Sequence, residues 1–336
     1  MTKEKFGIQE IAKEAGVSIA TVSRVLNNPD KTSEAARQKV MDVIRKHKYF
    51  TKSGAKSLYP ANSNSIAIFV YDMSNPFYID LIDQLNLIAL ENKYTLIICN
   101  ASNNFEREAQ YYEYCKSIHT AGIIFTAGTT RENFGKPEDD LDFAPPIVLL
   151  DREGFHDREC YKIKSDHRKG VSMLVDYLYR LNHRKIAYIT APTNILSAKE
   201  RLDAYVSSME NLGLPVPEYY IGQGDYTVKS GTESFDYFYS LADPPTAVIT
   251  ANDLNARGFI MRANSLGVKI PDEFSVCGFD GLHIETFYPT ITSIKHDTVA
   301  MAKTMFEWIT SAAENPPPQE KIVDVSMITG MTCHKI

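Results

Sequence analysis

Five polar residues, Asp72, Asp151, the pair Asn252-Asp253 and Asp280, each come directly after a short apolar run. Carboxylates and amides placed at the ends of strands suit a hydroxyl-rich ligand, and an arginine among them could fork onto two oxygens. Taken singly, each of these residues could equally cap the helix that follows, and for Asp253 the capping reading is the stronger one. A second constellation lies near the N-terminus. Ala12 is small where two helices would cross. Gly16 supplies a turn four residues on, and Val22 returns to a shared core six residues later. That is helix-turn-helix spacing, in which the second helix enters the major groove of DNA.

Two kinds of element must position these groups. Up to residue 49 the apolar period is helical. Ile8, Ile11, Ala12 and Ala15 share one face, and a second helix runs from Ser18 to Leu26. A third begins near Thr32 or Ser33 and carries Val40, Val43 and Ile44. Ser18 is placed to cap the second helix, whose positively polarised end then suits a phosphate. At about 100° per residue, Val22, Val25 and Leu26 face the core, while Ile19, Ala20, Ser23 and Arg24 face outward. Arg24 suits a bidentate contact to guanine, and Ile19 and Ala20 suit thymine methyls. Ser18, Thr21, Ser23 and Asn27 suit phosphates.

From Ser65 the period changes to strand-length apolar runs alternating with helical patterns. The first series is Ile66–Tyr71, Pro76–Glu91, Thr95–Asn100, Glu106–Ile118, Gly122–Thr126 and Ile147–Asp151. The second is Lys169–Leu181, Lys185–Thr190, Ala198–Leu212, Lys229–Leu241, Ala247–Ala251, Asp253–Ser265 and Phe274–Phe279, with a last strand expected over Lys321–Thr329. Such alternation implies parallel sheets covered by helices on both faces, in two Rossmann-like subdomains. Ligands of such sheets bind beyond the carboxyl ends of the strands, in the cleft between the two halves.

Charge divides the same way. Residues 1–62 carry a net +6 and the remainder a net −12, a basic head on an acidic body. The connecting residues 53–59 could form two helical turns, too short to be stable unaided, with Leu58 an apolar side chain stranded among basic ones. On that stretch alone a flexible linker is the favoured reading. The five cysteines are widely spaced and read as buried reduced thiols, which suits a cytoplasmic protein, and no secretory or membrane-spanning segment is expected. There is no GxxxxGK(S/T), HExxH or GxSxG motif, and Gly222-Gln223-Gly224 lacks the third glycine of a dinucleotide loop. The histidines show no metal-ligand spacing, and His183-Arg184-Lys185 reads as a solvated turn. An enzyme is not expected, and neither is a cofactor or metal.

The string Ile8-Gln9-Glu10-Ile11-Ala12-Lys13-Glu14-Ala15-Gly16-Val17-Ser18-Ile19-Ala20-Thr21-Val22-Ser23-Arg24-Val25-Leu26-Asn27 resembles the head signature of the LacI/GalR family of bacterial repressors. The resemblance extends to the last strand. It implies a small all-α helix-turn-helix head over 1–50, a hinge segment over 51–64 and a body over 65–336 like the type I periplasmic binding proteins. The body's subdomains would be about 65–163 plus 294–325 and 164–293 plus 326–336. It also implies that Ala55-Lys56-Ser57-Leu58 is a hinge helix formed on operator DNA, with Leu58 a wedge in the minor groove. Thr51-Lys52 and Gly54 depart from the usual Pro-Asn and valine. Glycine lowers helix propensity by about 1 kcal/mol, so a weaker hinge is expected.

In the body, Asp72 and Phe77 match the family's first-strand loop, and Asp151 the aspartate ending the fourth strand. Arg201 matches the effector-holding arginine of Ser197-Ala198-Lys199-Glu200-Arg201, and Tyr226 an aromatic that stacks on the ligand. Asn252 and Asp280 match its remaining polar contacts, and His296 stands where some relatives reach the pocket. Gly281, where a second aspartate is usual, and Ala204, where a glycine is frequent, are departures. The implied protein is a repressor of carbohydrate-utilisation genes, a homodimer on a palindromic operator, switched by a sugar or phosphosugar. No terminal leucine heptad follows the last strand, so pairing is expected to stop at the dimer. The runner-up is a global catabolite regulator switched by a partner such as a regulatory phosphocarrier protein.

Overall fold

A computed structural model describes residues 8–27, 32–47, 63–128, 145–153, 160–282, 288–311 and 320–336. The chain forms two units, residues 1–64 and 65–336.

In the first unit three helices, α1 (Ile8–Ala15), α2 (Ile19–Asn27) and α3 (Glu34–His47), all touch one another. Gly16 ends α1 at φ +66°, with open space around the missing Cβ, so backbone conformation rather than crowding calls for glycine there. Ser18 caps α2, its Oγ accepting from the Thr21 amide at 3.1 Å. Ile11, Ala12, Ala15, Val22, Val25, Val40 and Val43 make the core. Each fully buried valine contributes about 1.5–3 kcal/mol, so so small a core depends on every member.

The second unit holds two six-stranded sheets. The first orders its strands as Glu320–Val323 (β11), Tyr161–Ser165 (β5), Ile147–Leu150 (β4), Thr120–Phe125 (β3), Ser63–Val70 (β1) and Thr95–Asn100 (β2). The second runs Val325–Ile328 (β12), Thr292–His296 (β10), Ser275–Asp280 (β9), Ala247–Thr250 (β8), Ile186–Ile189 (β6) and Ile221–Gly222 (β7). Alternate residues feed opposite cores: in β1, Ile66, Ile68 and Val70 face one cluster while Ala67 and Phe69 face the other. Burial on both faces is why central strands such as β4 and β6 read as unbroken apolar runs. Helices α4 (Pro76–Glu91), α5 (Phe105–Ser117) and α10 (Thr298–Ser311) belong to the first sheet's half. Helices α6 (His167–Arg180), α7 (Leu196–Asn211), α8 (Val228–Tyr239) and α9 (Asp253–Ser265) belong to the second's.

Several expectations change. The stretch expected as one last strand is two strands in different sheets, broken at Asp324. β12 pairs antiparallel with β10, so the second sheet is not wholly parallel. The chain passes between the halves at Asp166, Asp297 and Asp324, which places β10 entirely in the second sheet, although the return was expected near 294. At two of these crossings the aspartate caps the following helix: Asp166 accepts from the Lys169 amide at 2.9 Å and Asp297 from the Ala300 amide at 2.9 Å. His183 is not a solvated turn residue. It is fully buried, held by Thr246 Oγ1 at 2.9 Å and the His334 carbonyl at 3.1 Å.

Candidate functional site

The carboxyl ends of both sheets face a cleft of about 450 Å³, its open mouth included. From the first half, β1 delivers Tyr71 and Asp72, and the start of α4 delivers Asn75, Phe77 and Tyr78. Asp72 Oδ1 accepts from the amide and the hydroxyl of Ser74, at 2.8 and 2.7 Å, and this turn leads into α4. Asn75 caps α4, its Oδ1 accepting from the Phe77 amide at 2.9 Å. Its Nδ2 crosses the cleft and donates to Asp280 Oδ2 at 3.2 Å.

Arg201 on α7 is the hub of the second half. Its Nε donates to His167 Nδ1 at 3.2 Å and its Nη1 to the Ala251 carbonyl at 2.6 Å. Its guanidinium lies 3.8 Å from the Phe279 ring centroid, and Asp280 Oδ1 is 3.9 Å away. His167 in turn donates from Nε2 to Asp151 Oδ1 at 2.8 Å, a bond between the two halves. Burial opposes ionisation of Asp151, but the hydrogen bond from His167 and the nearby Arg201 cation outweigh it and hold the carboxyl below its ordinary range. Burial also opposes the charge on Arg201, yet the neighbouring Tyr226, Asp280, Tyr188 and Asp151 raise its pKa further. Arg201 is therefore a permanent cation.

Three residues at the cleft adopt positive φ without being glycine: Asp151 (+50°), Tyr226 (+69°) and Asp280 (+119°). Such backbone costs on the order of 1–3 kcal/mol where it is strained, and it persists because the surroundings fix it. At Asp280 the fixing groups are Asn75, Arg201 and His296.

Of the eight effector residues expected from sequence, Asp72, Phe77, Asp151, Arg201, Tyr226 and Asp280 line the cleft together. Asn252 and His296 stand behind it. Asn252 caps α9 by accepting from the Asn255 amide and donates to the Tyr226 carbonyl, so it places Tyr226. His296 packs 4.5 Å from the Phe77 ring and donates from Nε2 to Asp280 Oδ1 at 3.3 Å, while its Nδ1 meets the Ser165 hydroxyl. Burial pushes its pKa down, against the pull of Asp280, so it is neutral. Asp253, expected as a cap, is not one. Its carboxyl is buried, accepting from Ser293 Oγ at 2.6 Å and the Leu282 amide at 2.7 Å. Sequence reasoning missed Tyr71, Tyr78 and His167, and it held Asn75 and Ser197 only as members of matched segments, without a role of their own. Asn75 carried the one usable signal, an asparagine before a proline-started helix.

In the head, Ile19, Ala20 and Arg24 are exposed on α2, as is the cap Ser18. Thr21 and Ser23 are half-buried, and Thr21 Oγ1 pairs with Ser18 at 2.8 Å. Asn27 is the last residue of α2. Ala55 and Leu58 lie outside the described residues.

A trihelical head with an exposed second-helix face, followed by a two-sheet body with a cleft, defines a DNA-binding transcription regulator. The profile of bacterial regulatory proteins of the lacI family matches residues 7–52, and that of the periplasmic binding protein-like domain matches residues 175–333. The HTH-type transcriptional regulator DegA of Bacillus subtilis (strain 168) is 31% identical over 292 residues, 86% of each chain. The lac repressor dimer bound to operator and the anti-inducer ONPF has the same fold, with TM-score 0.71 and 20% identity over 98% of this chain and 100% of that one. A periplasmic binding protein/LacI transcriptional regulator from Alkaliphilus metalliredigens QYMF, complexed with D-xylulofuranose, has TM-score 0.71 and 25% identity over 81% of this chain and 99% of that one. The chain belongs to the lacI family of bacterial regulatory proteins. No described helix is long and apolar enough to cross a membrane.

Proposed function

We propose that this regulator is a homodimeric repressor of carbohydrate-utilisation genes in the cytoplasm, without catalytic activity, and that a sugar-type effector binds in the cleft. The observation that carries the reading is the convergence of Asp72, Asp151, Arg201 and Asp280 with Phe77 and Tyr226 on one cavity. Carboxylates take pairs of hydroxyls, and aromatic faces take the apolar side of a sugar ring. The D-xylulofuranose complex of the similar regulator supports the same ligand class. The built cleft favours a small-molecule switch over one worked by a phosphocarrier protein. Asn252 and His296 then serve as supports for Tyr226 and Asp280.

DNA is read by α2. Arg24 takes a guanine, Ile19 and Ala20 take methyl groups, and Ser18, Thr21, Ser23 and Asn27 sit against phosphates. The hinge is residues 51–62, two fewer than expected because Ser63 and Asn64 open β1, with Ala55 and Leu58 at the minor groove. One head per chain calls for a pair on an inverted repeat. The outer face of α4 and the edge strand β2 leave Ile79, Leu87, Leu90 and Ile98 exposed, the apolar surface a second copy would cover.

Selection of bound duplexes from a random pool by the full-length protein tests this. An inverted repeat is expected, and Arg24→Ala should lose about 1–3 kcal/mol and relax one position per half-site. Selection of the same sequence by the variant would remove Arg24 from base reading.

A further inference from the structure

We infer that the effector is an uncharged polyhydroxyl compound and that the cleft rejects its phosphorylated form, an inference that rests on the sugar reading above. Three carboxylates, Asp72, Asp151 and Asp280, line the cleft, against one cation among the described residues, Arg201. A phosphate monoester brings about −1.5 to −2 charges at pH 7 into that field.

Arg201 is also poorly placed to offset them. Anion recognition by arginine uses two parallel N–H groups at one edge of its fork. Here Nε is committed to His167 and one Nη1 hydrogen to the Ala251 carbonyl, while the guanidinium face lies on Phe279. The edge that would grip a phosphate through Nε and a terminal nitrogen is already occupied, and on the other edge Nη1 is shared with the Ala251 carbonyl and lies 3.9 Å from Asp280 Oδ1.

The competing feature is the pair of helix N-termini at the cleft, those of α4 and α7. Asn75 already occupies one amide of the first, whereas the second has no side-chain cap and presents Ile195 and Ser197 to the cavity. Each terminus is equivalent to about half a positive charge. Together with Arg201 they do not balance three carboxylates, so the wall stays anionic. What remains suits neutral hydroxyls: acceptor oxygens on three aspartates, the Asn75 amide, and the rings of Phe77 and Tyr226.

Isothermal titration of the full-length protein with matched pairs tests the selection: D-xylulose and its 5-phosphate, D-ribose and its 5-phosphate, D-glucose and its 6-phosphate. At least one parent sugar is expected to bind, with its ester weaker by about 100-fold or more. Asp72→Asn, which keeps an acceptor for Ser74 and drops one negative charge, should narrow that ratio several-fold. An ester that binds as well as its parent, or a ratio unchanged in Asp72→Asn, overturns the inference and leaves the sugar reading intact. If neither member of any pair binds, the sugar reading falls and the inference with it.

Discussion

Asn75 both caps a helix of the first half of the body and reaches across to the second, and its replacement by aspartate separates these two roles. Both residues cap a helix well, so Asn75→Asp leaves the start of α4 intact and adds a charge that the helix N-terminus favours. The contact with Asp280 reverses, because the donor at 3.2 Å becomes a second carboxylate. Two unit charges at that separation repel by about 5 kcal/mol at an effective dielectric near 20. Residue 75 is only half-buried and free to swing outward, so solvent screening reduces this to about 1–2 kcal/mol in the closed cleft. When the cleft is open the two groups are solvated apart, so nearly all the penalty falls on closure, shifting the equilibrium about 5–30-fold toward the open form. Asn75→Ser is the control, since serine also caps but merely loses one hydrogen bond, worth about 0.5–1.5 kcal/mol. Effector affinity by calorimetry and the scattering radius of the free protein measure both effects. The aspartate variant should bind more weakly than the serine variant at pH 7.5, and the gap should shrink as the pH falls toward the carboxylate range. Equal affinity and equal radius for the two variants at pH 7.5 would refute the cross-cleft bond as part of closure.

Arg201→Met keeps an apolar stem on Phe279 but strands Asp151 and Asp280 in a buried site. A loss of about 3–5 kcal/mol in urea unfolding is expected, and a loss under 1 kcal/mol would mean these carboxylates do not depend on it. Burial, and next the Asp280 charge, push the Asp253 carboxyl well above its ordinary pKa despite bonds from Ser293 and Leu282, so the folded state holds a proton the unfolded chain has lost. Its contribution to stability is therefore full below about pH 4 and declines as pH rises from there to the folded pKa, by about 1.4 kcal/mol per pH unit of that interval. Asp253→Asn, which can accept from the Leu282 amide and donate to Ser293 Oγ, lacks that decline. Its melting temperature should gain on the wild type between pH 4 and 7, and a constant difference would contradict the shift.

How much of this was legible depended on whether position or partner does the work. Helices Pro76–Glu91 and Asp253–Ser265 coincide with the elements read from periodicity because each buries a regular apolar set, and strand Thr95–Asn100 coincides as an apolar run although, at the sheet's edge, only Cys99 of it is fully buried. Strand β10 escaped that logic. Thr292, Ser293 and His296 are buried yet polar, their side chains satisfied in turn by the Gly330 amide 38 residues on, by Asp253 40 residues back and by Ser165 131 residues back. An apolar pattern cannot show a strand whose interior is made of matched polar pairs. Helix α10 differs, since Met301, Met305, Trp308 and Ile309 recur at helical spacing and carried a signal that could have found it. The strand-end rule located three lining residues, Asp72, Asp151 and Asp280, because chain direction in a parallel sheet puts every strand terminus on one side, while Phe77, Arg201 and Tyr226 came from the family resemblance. It could not separate Asn252 from Asp253. Both are buried, and which of them caps α9 and which turns toward β9 follows from the Gly278 backbone. A Cβ added there would meet Asp253 Oδ1 at 1.8 Å, so that glycine makes the space the carboxyl fills. His167 was equally invisible, its role depending on Asp151 and Arg201 meeting it from opposite halves.

The polar groups of the cleft are more numerous than stability calls for. A buried cluster of Asp151, His167, Arg201, Asp280 and His296 contributes little net stability against an apolar core of the same volume, because desolvation offsets most of the attraction. Its use lies in having discrete arrangements. Asp151–His167, Asn75–Asp280 and Lys164–Glu200 all join the two halves, and each bond is fully made only when the halves are together. A ligand hydroxyl seated between Asn75 and Asp280 competes for the same oxygen, so binding necessarily exchanges one set of cross-cleft bonds for another. The free-energy difference between those sets is the most that the body can transmit as coupling, typically about 1–3 kcal/mol. A uniformly apolar cleft would deform smoothly and bind without choosing a state. Directional bonds between two rigid sheets, with the chain crossing at three aspartates, make closure a choice between alternatives, which is what a regulator's body must supply.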